Sequence, residues 1–319
     1  MLMSGKDMKV LLTGGAGFIG SHVADAFLKA GHEVVVLDNL SSGNRENLPA
    51  QARLYLLDLG ARELGEVFAA ERPDVVDHHA AQISVTASAR DPQADARTNV
   101  LGMLNLLEAC RRFPVKKFIF ASTGGAIYGD TDRLPTPEDC PPQPLSPYGI
   151  HKWLGEQYLR YYAHQYGLAY TVLRYANVYG PRQNPDGEAG VVSIFVTRLL
   201  RGQPPVIFAY PGDPDGMVRD YVYVQDVARA NLAAAERGEG QVINVGTGVP
   251  TTTGALYRAI SRAFPGAPEP GRDAARPGDL AKSLLDVRKA ERLLDWRPRV
   301  GLSEGLARTT EFFRSRQGS

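Results

Sequence analysis

Cysteine is nearly absent from this chain: 319 residues hold two, Cys110 and Cys140, with no spacing that suits a metal. A disulfide framework is therefore excluded as a source of stability, and so is a cysteine-based zinc site. Cys110 falls in an apolar helical run and reads as a small core residue. Net charge is scarce as well, only +1, so there is no electrostatic case for nucleic acid or a membrane surface as partner. No apolar run is long enough to span a bilayer. No charged-then-apolar signal segment precedes the first strand, and the cytosol is the expected compartment. Lysine is sparse too, eight of the 36 basic residues. That arginine bias fits a GC-rich or heat-adapted source and bears little on function. Internal repeats and low-complexity stretches are missing.

What remains is an ordinary globular composition, 44% hydrophobic and 22% charged. The length predicts two lobes or one large α/β unit. In the first half, short apolar or β-branched runs alternate with longer amphipathic ones, the pattern of βαβ units and a parallel sheet. The strand runs are Lys9–Thr13, Glu33–Leu37, Arg53–Leu57, Val75–His78, Lys117–Ala121 and Thr171–Tyr175. Helical stretches between them include Ser21–Ala30, Leu64–Glu71, Thr98–Phe113 and His151–Tyr166. Six strands with crossovers predict a Rossmann-type doubly wound parallel sheet. After Tyr175 the texture turns Gly- and Pro-rich, as in Gly180–Pro185 and Tyr210–Gly216. Amid these loops a helix is predicted over Val192–Arg201 and strands over Val206–Phe208, Asp220–Val224 and Val242–Val245, with helices again at Val287–Leu294 and Ser303–Arg314. The expected division is a nucleotide-binding domain over residues 1–176, with 220–248 partly returning to it, and a smaller C-terminal α/β substrate domain over 177–219 and 249–319.

Chemistry enters with Gly14-Gly15-Ala16-Gly17-Phe18-Ile19-Gly20, which follows a strand and opens a helix. One glycine permits the tight turn, one lets backbone approach a pyrophosphate, and one allows close helix–strand packing. The helix N-terminus then offers amide donors and a positive dipole end to phosphates. Asp38 ends the second strand, where its carboxylate can accept the ribose hydroxyls of an adenosine; a 2′-phosphate there would meet like charge. NAD is thus expected over NADP, with Arg45 nearby as the one feature favouring NADP. Asp58 is placed either to meet the adenine amino group or to cap a helix. Ala80 and Ala81 are small, as a cofactor-lining backbone needs. His78-His79 face opposite sides of a strand, so no metal site is expected.

Tyr148 and Lys152 stand one helical turn apart, on one face. A phenol with a pKa of about 10 is no base at neutral pH; a neighbouring ammonium would bring the phenolate into range. Ser122-Thr123 end a strand at the carboxyl edge of the sheet, where ligands bind in such folds. One of these hydroxyls could hold a substrate oxygen and relay its proton, or both could satisfy local backbone.

The glycine loop, Asp38, Ser122-Thr123 and Tyr148/Lys152, in this order, resemble the extended short-chain dehydrogenase/reductase superfamily. The resemblance runs through Asn99 in Thr98-Asn99-Val100-Leu101-Gly102 and Arg174-Tyr175-Ala176-Asn177-Val178-Tyr179-Gly180. It continues in Arg219-Asp220-Tyr221 and Asn244-Val245-Gly246-Thr247-Gly248. Within the superfamily, Ser146-Pro147-Tyr148-Gly149, Asp38-Asn39-Leu40-Ser41-Ser42-Gly43 and Arg276-Pro277-Gly278-Asp279 are most similar to UDP-glucose 4-epimerases.

That resemblance implies NAD as a resident cofactor, touched by Phe18 and Ile19 in the glycine loop, by Asn39, Leu59 and Asn99, and by Tyr175. It implies Arg219 and Arg276 on the substrate diphosphate, Asp279 on a ribose hydroxyl and Phe208 near uracil, with Asn177 and Val192 as further substrate contacts. Guanidinium forks suit a diphosphate. Thr123, counted along the strand, matches the family's hydroxyl, with Ser122 in reserve; counted back from Tyr128-Gly129, Gly124 takes that place. No acid follows Thr123, where dehydratases and decarboxylases of the superfamily carry Asp or Glu. Where many epimerases have a lysine near the nicotinamide, this chain has Ile83. The position that sets sugar-pocket width falls on Ser283, small enough to admit UDP-N-acetylhexosamines. The implied reaction is oxidation at C4 of a UDP-hexose, rotation of the 4-keto sugar, and re-reduction on its other face. Family members are usually homodimers, paired through helices equivalent to Thr98–Phe113 and His151–Tyr166. Two rival readings stay open: a different NAD-dependent nucleotide-sugar epimerase or dehydrogenase, and a non-catalytic NAD-binding protein.

Overall fold

A computed structural model describes residues 7–185, 190–276 and 278–317. The chain forms two compact units. The first takes in the chain up to Ser122, Pro147–Leu173 and Ala228–Val242; the second holds Thr123–Ser146, Arg174–Val227 and the chain from Ile243 on.

In chain order the elements run β1 (Lys9–Thr13), α1 (Phe18–Lys29), β2 (Glu33–Asp38), β3 (Arg53–Leu56), α2 (Leu64–Glu71), β4 (Val75–His78), α3 (Val85–Arg90) and α4 (Pro92–Ala96). A π-helical turn (Arg97–Gly102) leads into α5 (Met103–Arg112), β5 (Lys117–Thr123), the short α6 (Gly124–Ile127), α7 (Pro147–Tyr166) and β6 (Tyr170–Tyr175). Next come β7 (Asn177–Tyr179), α8 (Val191–Leu200), β8 (Val206–Ala209), β9 (Val218–Tyr223), α9 (Val224–Ala234) and β10 (Gln241–Val245). The chain closes through β11 (Pro250–Thr252), α10 (Thr253–Ser261), β12 (Gly271–Ala274), β13 (Lys282–Ser283), α11 (Arg288–Leu294) and α12 (Leu302–Gln317).

Seven strands form one sheet in the order β10-β6-β5-β4-β1-β2-β3. The chain order reverses at β1, which pairs in parallel with both β2 and β4. Such a reversal opens a crevice at the carboxyl ends of the strands. Helices cover both faces of a parallel sheet, so its strands read as unbroken apolar runs rather than alternating ones. Val34, Val35, Val36 and Leu37 of β2 are all buried. Phe68, Leu106, Phe118 and Phe120 sit in the same core cluster. Each such side chain contributes about 1.5–3 kcal/mol by leaving water.

The second unit has a smaller sheet in which β9 pairs with β11, β13 and β7, and a two-stranded parallel pair of β8 and β12. Its core gathers Tyr179, Phe195, Tyr223, Leu256 and Leu306. The segment Thr123–Ser146, placed with the nucleotide-binding part by the sequence reading, counts with this unit. It packs there through Tyr128, Cys140 and Leu285.

Every strand and helix named from the sequence is present, some with shifted ends, while α3, α4, α9, α10 and the short strands β7, β11, β12 and β13 went unnamed. β5 continues two residues past Ala121, to Thr123, while α7 starts at Pro147, not His151, so that Tyr148 stands in its first turn. Proline is tolerated at a helix start, where its missing N–H would be unpaired anyway. The predicted helix over Thr98–Phe113 is a π-helical turn followed by α5, because tertiary contacts override the regular register. The side chain of Asn99 is pinned to the segment after β4, and Gly102 closes on Leu59.

Candidate active site

The glycine loop is built around close approaches. Gly14 has φ +68, and a β-carbon there would lie 2.6 Å from the backbone nitrogen of Ala80. A β-carbon on Gly20 would lie 2.2 Å from the carbonyl oxygen of Gly14. Gly17 caps α1 with no side chain bonded to the helix start, which leaves Phe18 and Ile19 in the first turn without a side-chain cap. The bare turn and exposed amide dipoles fit a pyrophosphate. Beneath the turn, the Thr13 hydroxyl pairs with His78 Nδ1 at 2.7 Å and accepts from the Ala80 amide at 3.2 Å. Burial pushes the His78 pKa well below its ordinary value, which keeps the ring neutral.

Asp38 is aimed by backbone. Its Oδ2 accepts from the Ala16 amide at 2.9 Å and its Oδ1 from the Leu40 amide at 2.8 Å. Each carboxylate oxygen keeps a further lone pair for a hydroxyl. Gly43 leaves the adjoining space open, since a β-carbon there would stand 3.1 Å from Asp38 Oδ1. Asp58 accepts from Asn39 Nδ2 and from the Gly60 amide, both at 2.8 Å, and so ties the loops after β2 and β3 together.

Leu59 is 5% exposed and belongs to the core, its carbonyl held by Asn105. Asn99 donates to the Gln82 carbonyl and to Asp95, and accepts from the Gln82 amide, so protein groups take up its side chain. Tyr175 is buried at the end of β6, whereas Ala80 and Ala81 are half-buried beside the glycine turn.

On α7 the Tyr148 amide donates to Ser88 Oγ at 3.1 Å, which fixes the helix start. One turn on, Lys152 Nζ donates to the Ala121 carbonyl at 2.8 Å and lies 4.9 Å from the centre of the Phe120 ring. Burial brings its pKa down to about 8. An ammonium that is anchored yet easily discharged can steady a phenolate and pass a proton.

The structure separates the two candidate hydroxyls. Ser122 Oγ donates to buried Glu156 Oε1 at 2.6 Å, which commits its proton. Thr123 is half-buried at the end of β5 and makes no capping hydrogen bond to α6.

In the second unit the residues expected on a nucleotide diphosphate do gather. Arg276 lies 4.2 Å from the centre of the Phe208 ring, and its amide donates to Asp279 Oδ2 at 3.2 Å. Arg219 pairs in register with Ser283 across β9 and β13. Burial pushes its guanidinium pKa down, opposed by the nearby charge of Asp279. Asp220, quoted for its motif alone, anchors a second motif: its carboxylate accepts from the Thr247 amide and hydroxyl and from the Gly248 amide. Asn177 is exposed on β7. Val192 is 1% exposed in the core, which leaves only its backbone to face a ligand.

Four residues went unnamed as candidates in the sequence: His151 and Glu156 lie on α7 itself, and Asp95 bonds both Gln82 and His151. The available signals were His151 sitting between Tyr148 and Lys152, and Asp95 four residues before Asn99, on the same helical face.

Comparison with known proteins agrees with this geometry. Residues 10–246 match the NAD dependent epimerase/dehydratase family. A UDP-glucose 4-epimerase of Mycolicibacterium smegmatis is 45% identical, over 97% of this chain and 99% of its own length. The solved UDP-glucose 4-epimerase of Thermotoga maritima with UDP-glucose is 52% identical, with a TM-score of 0.94 over 97% of this chain and 100% of that one. That of Thermus thermophilus, in complex with NAD, is 49% identical, with a TM-score of 0.90 over 96% and 99%. The chain belongs to the NAD-dependent epimerase/dehydratase family.

Proposed function

We propose that this chain is a UDP-glucose 4-epimerase that interconverts UDP-glucose and UDP-galactose with a resident NAD, as a homodimer acting in the cytosol. The observation that carries this reading is a single anchored base pair, Tyr148 and Lys152, with no acid after Thr123 in Gly124-Gly125-Ala126. A dehydratase needs a second titratable group there; inversion at one carbon does not. The glycine cradle and the amide-held Asp38 fit NAD, and Gly14, Gly17, Gly20 and Asp38 would hold it. Bound there, NAD would supply the hydride acceptor and donor.

This chain's own residues do the rest. Tyr148 takes the C4 hydroxyl proton, Lys152 stabilises the resulting charge, and Thr123 aligns the oxygen. Arg219 and Arg276 hold the diphosphate and Asp279 a ribose hydroxyl, so the substrate is gripped at the nucleotide and free to turn at the sugar. The small Ser283 extends the reading to UDP-N-acetylhexosamines. Support comes from a solved UDP-N-acetylglucosamine 4-epimerase of Methanobrevibacter ruminantium, 35% identical with a TM-score of 0.92 over 98% of this chain. Exposed Leu101, Ile150, Trp153 and Tyr161 on the π-helical turn and α7 support the dimer.

A panel of nucleotide sugars, offered to protein purified without added NAD, tests the assignment. UDP-galactose is expected to become UDP-glucose, and UDP-N-acetylgalactosamine to turn over as well. Turnover of GDP- or dTDP-sugars alone would reject the assignment; no turnover of any sugar would favour a non-catalytic NAD-binding protein.

A further inference from the structure

Lys152 is buried, and its hydrogen-bond partner among the described residues is a neutral carbonyl, that of Ala121. An ammonium removed from water is costly unless opposite charge compensates it. Two carboxylates supply such charge, Asp95 on α4 and Glu156 one turn further along α7. Glu156 is drawn toward β5 by the Ser122 hydroxyl. Asp95 is 1% exposed, and its Oδ1 accepts from Gln82 Nε2 at 2.5 Å and from Asn99 Nδ2 at 3.1 Å. Its Oδ2 pairs with His151 Nδ1 at 2.5 Å. His151 directly precedes Lys152 and lies one turn after Tyr148 on α7.

The remaining charged groups around α7 lie elsewhere or are neutral. His78 of β4 is held neutral by burial. Arg90 of α3 is exposed, and Arg97 of the π-helical turn is exposed near Asp91. Glu108 of α5 serves Tyr162 and Arg111 at the far end of the helix.

We propose that Asp95, held by His151, is a positioning residue for the catalytic pair. It supplies the buried counter-charge that keeps Lys152 an ammonium, and through His151, Gln82 and Asn99 it locks the start of α7 to the segment after β4. The proposal rests on the roles given above to Tyr148 and Lys152.

The chain has only eight lysines, so NMR of the purified protein with isotope-labelled lysine resolves Lys152, assigned by Lys152→Arg. Its midpoint in the wild type is expected at about 8. In Asp95→Asn, which keeps the shape and loses the charge, the midpoint falls by about one pH unit. The alkaline limb of kcat for UDP-galactose moves down with it, while KM stays unchanged. His151→Ala keeps the carboxylate, so it lowers kcat without lowering the midpoint. If Asp95→Asn does not fold, Asp95→Ser reports the same loss of charge. An unmoved midpoint in the neutral variant, or an equal fall in His151→Ala, overturns the proposal. The titration needs no turnover, so failure to epimerise UDP-hexoses would leave this test standing.

Discussion

Tyr148→Phe lowers kcat for UDP-galactose about a thousandfold while bound NAD and thermal stability stay at wild-type levels. The substitution deletes one oxygen and keeps the ring, and the helix start remains fixed by the Tyr148 amide on Ser88 Oγ. What disappears is the group proposed to take the C4 proton, and a positioned general base contributes about 10²–10⁴-fold. Ser122→Ala should show the opposite pattern. It strips a hydrogen bond from Glu156, and a lost hydrogen bond costs about 0.5–1.5 kcal/mol. Its kcat should change only a few-fold, because the Ser122 hydroxyl is turned to Glu156. Comparing the two variants by steady-state kinetics and thermal melting separates the chemical group from the structural one. Equal losses of kcat would place the proton relay on Ser122.

Gly14→Ala is expected to purify without NAD and to lose about 2–5 kcal/mol of stability. Two costs coincide at this position. The backbone is left-handed at φ +68, and the new β-carbon would meet the Ala80 amide nitrogen at 2.6 Å. That amide also donates to Thr13 Oγ1, so yielding there pulls apart the stitch between β1 and β4 on which the turn rests. The damage therefore reaches the phosphate cradle itself. Absorbance of nucleotide released on denaturation, read beside the melting temperature, measures both effects. A Gly14→Ala protein with a full complement of NAD would show that the turn has slack this geometry does not contain.

The first half of the fold was legible because buried parallel strands leave continuous apolar runs that no loop imitates, as in Val34–Leu37. Glycines after β1 and an acid after β2 announced the dinucleotide for the same reason: each residue type answers a local steric or charge demand. Features set by distant partners stayed hidden. The π-helical turn depends on the fit of Gly102 against Leu59, and no helical periodicity encodes that contact. Ser122 and Thr123 are equivalent hydroxyls in sequence; a glutamate on α7 distinguishes them. Leu59 and Val192 lie in the core, a placement that an apolar letter beside a motif does not reveal. His151 and Asp95 escaped because a contact between α4 and α7 has no sequence spacing of its own.

Hydrogen that leaves C4 of a UDP-hexose is expected to return to the same carbon without leaving the protein. UDP-galactose deuterated at C4, given to the purified protein with no NAD added, measures this directly. The product is predicted to be UDP-glucose with the deuterium still at C4 and none exchanged with water. Product carrying solvent hydrogen at C4, or no product until NAD is supplied, would contradict it.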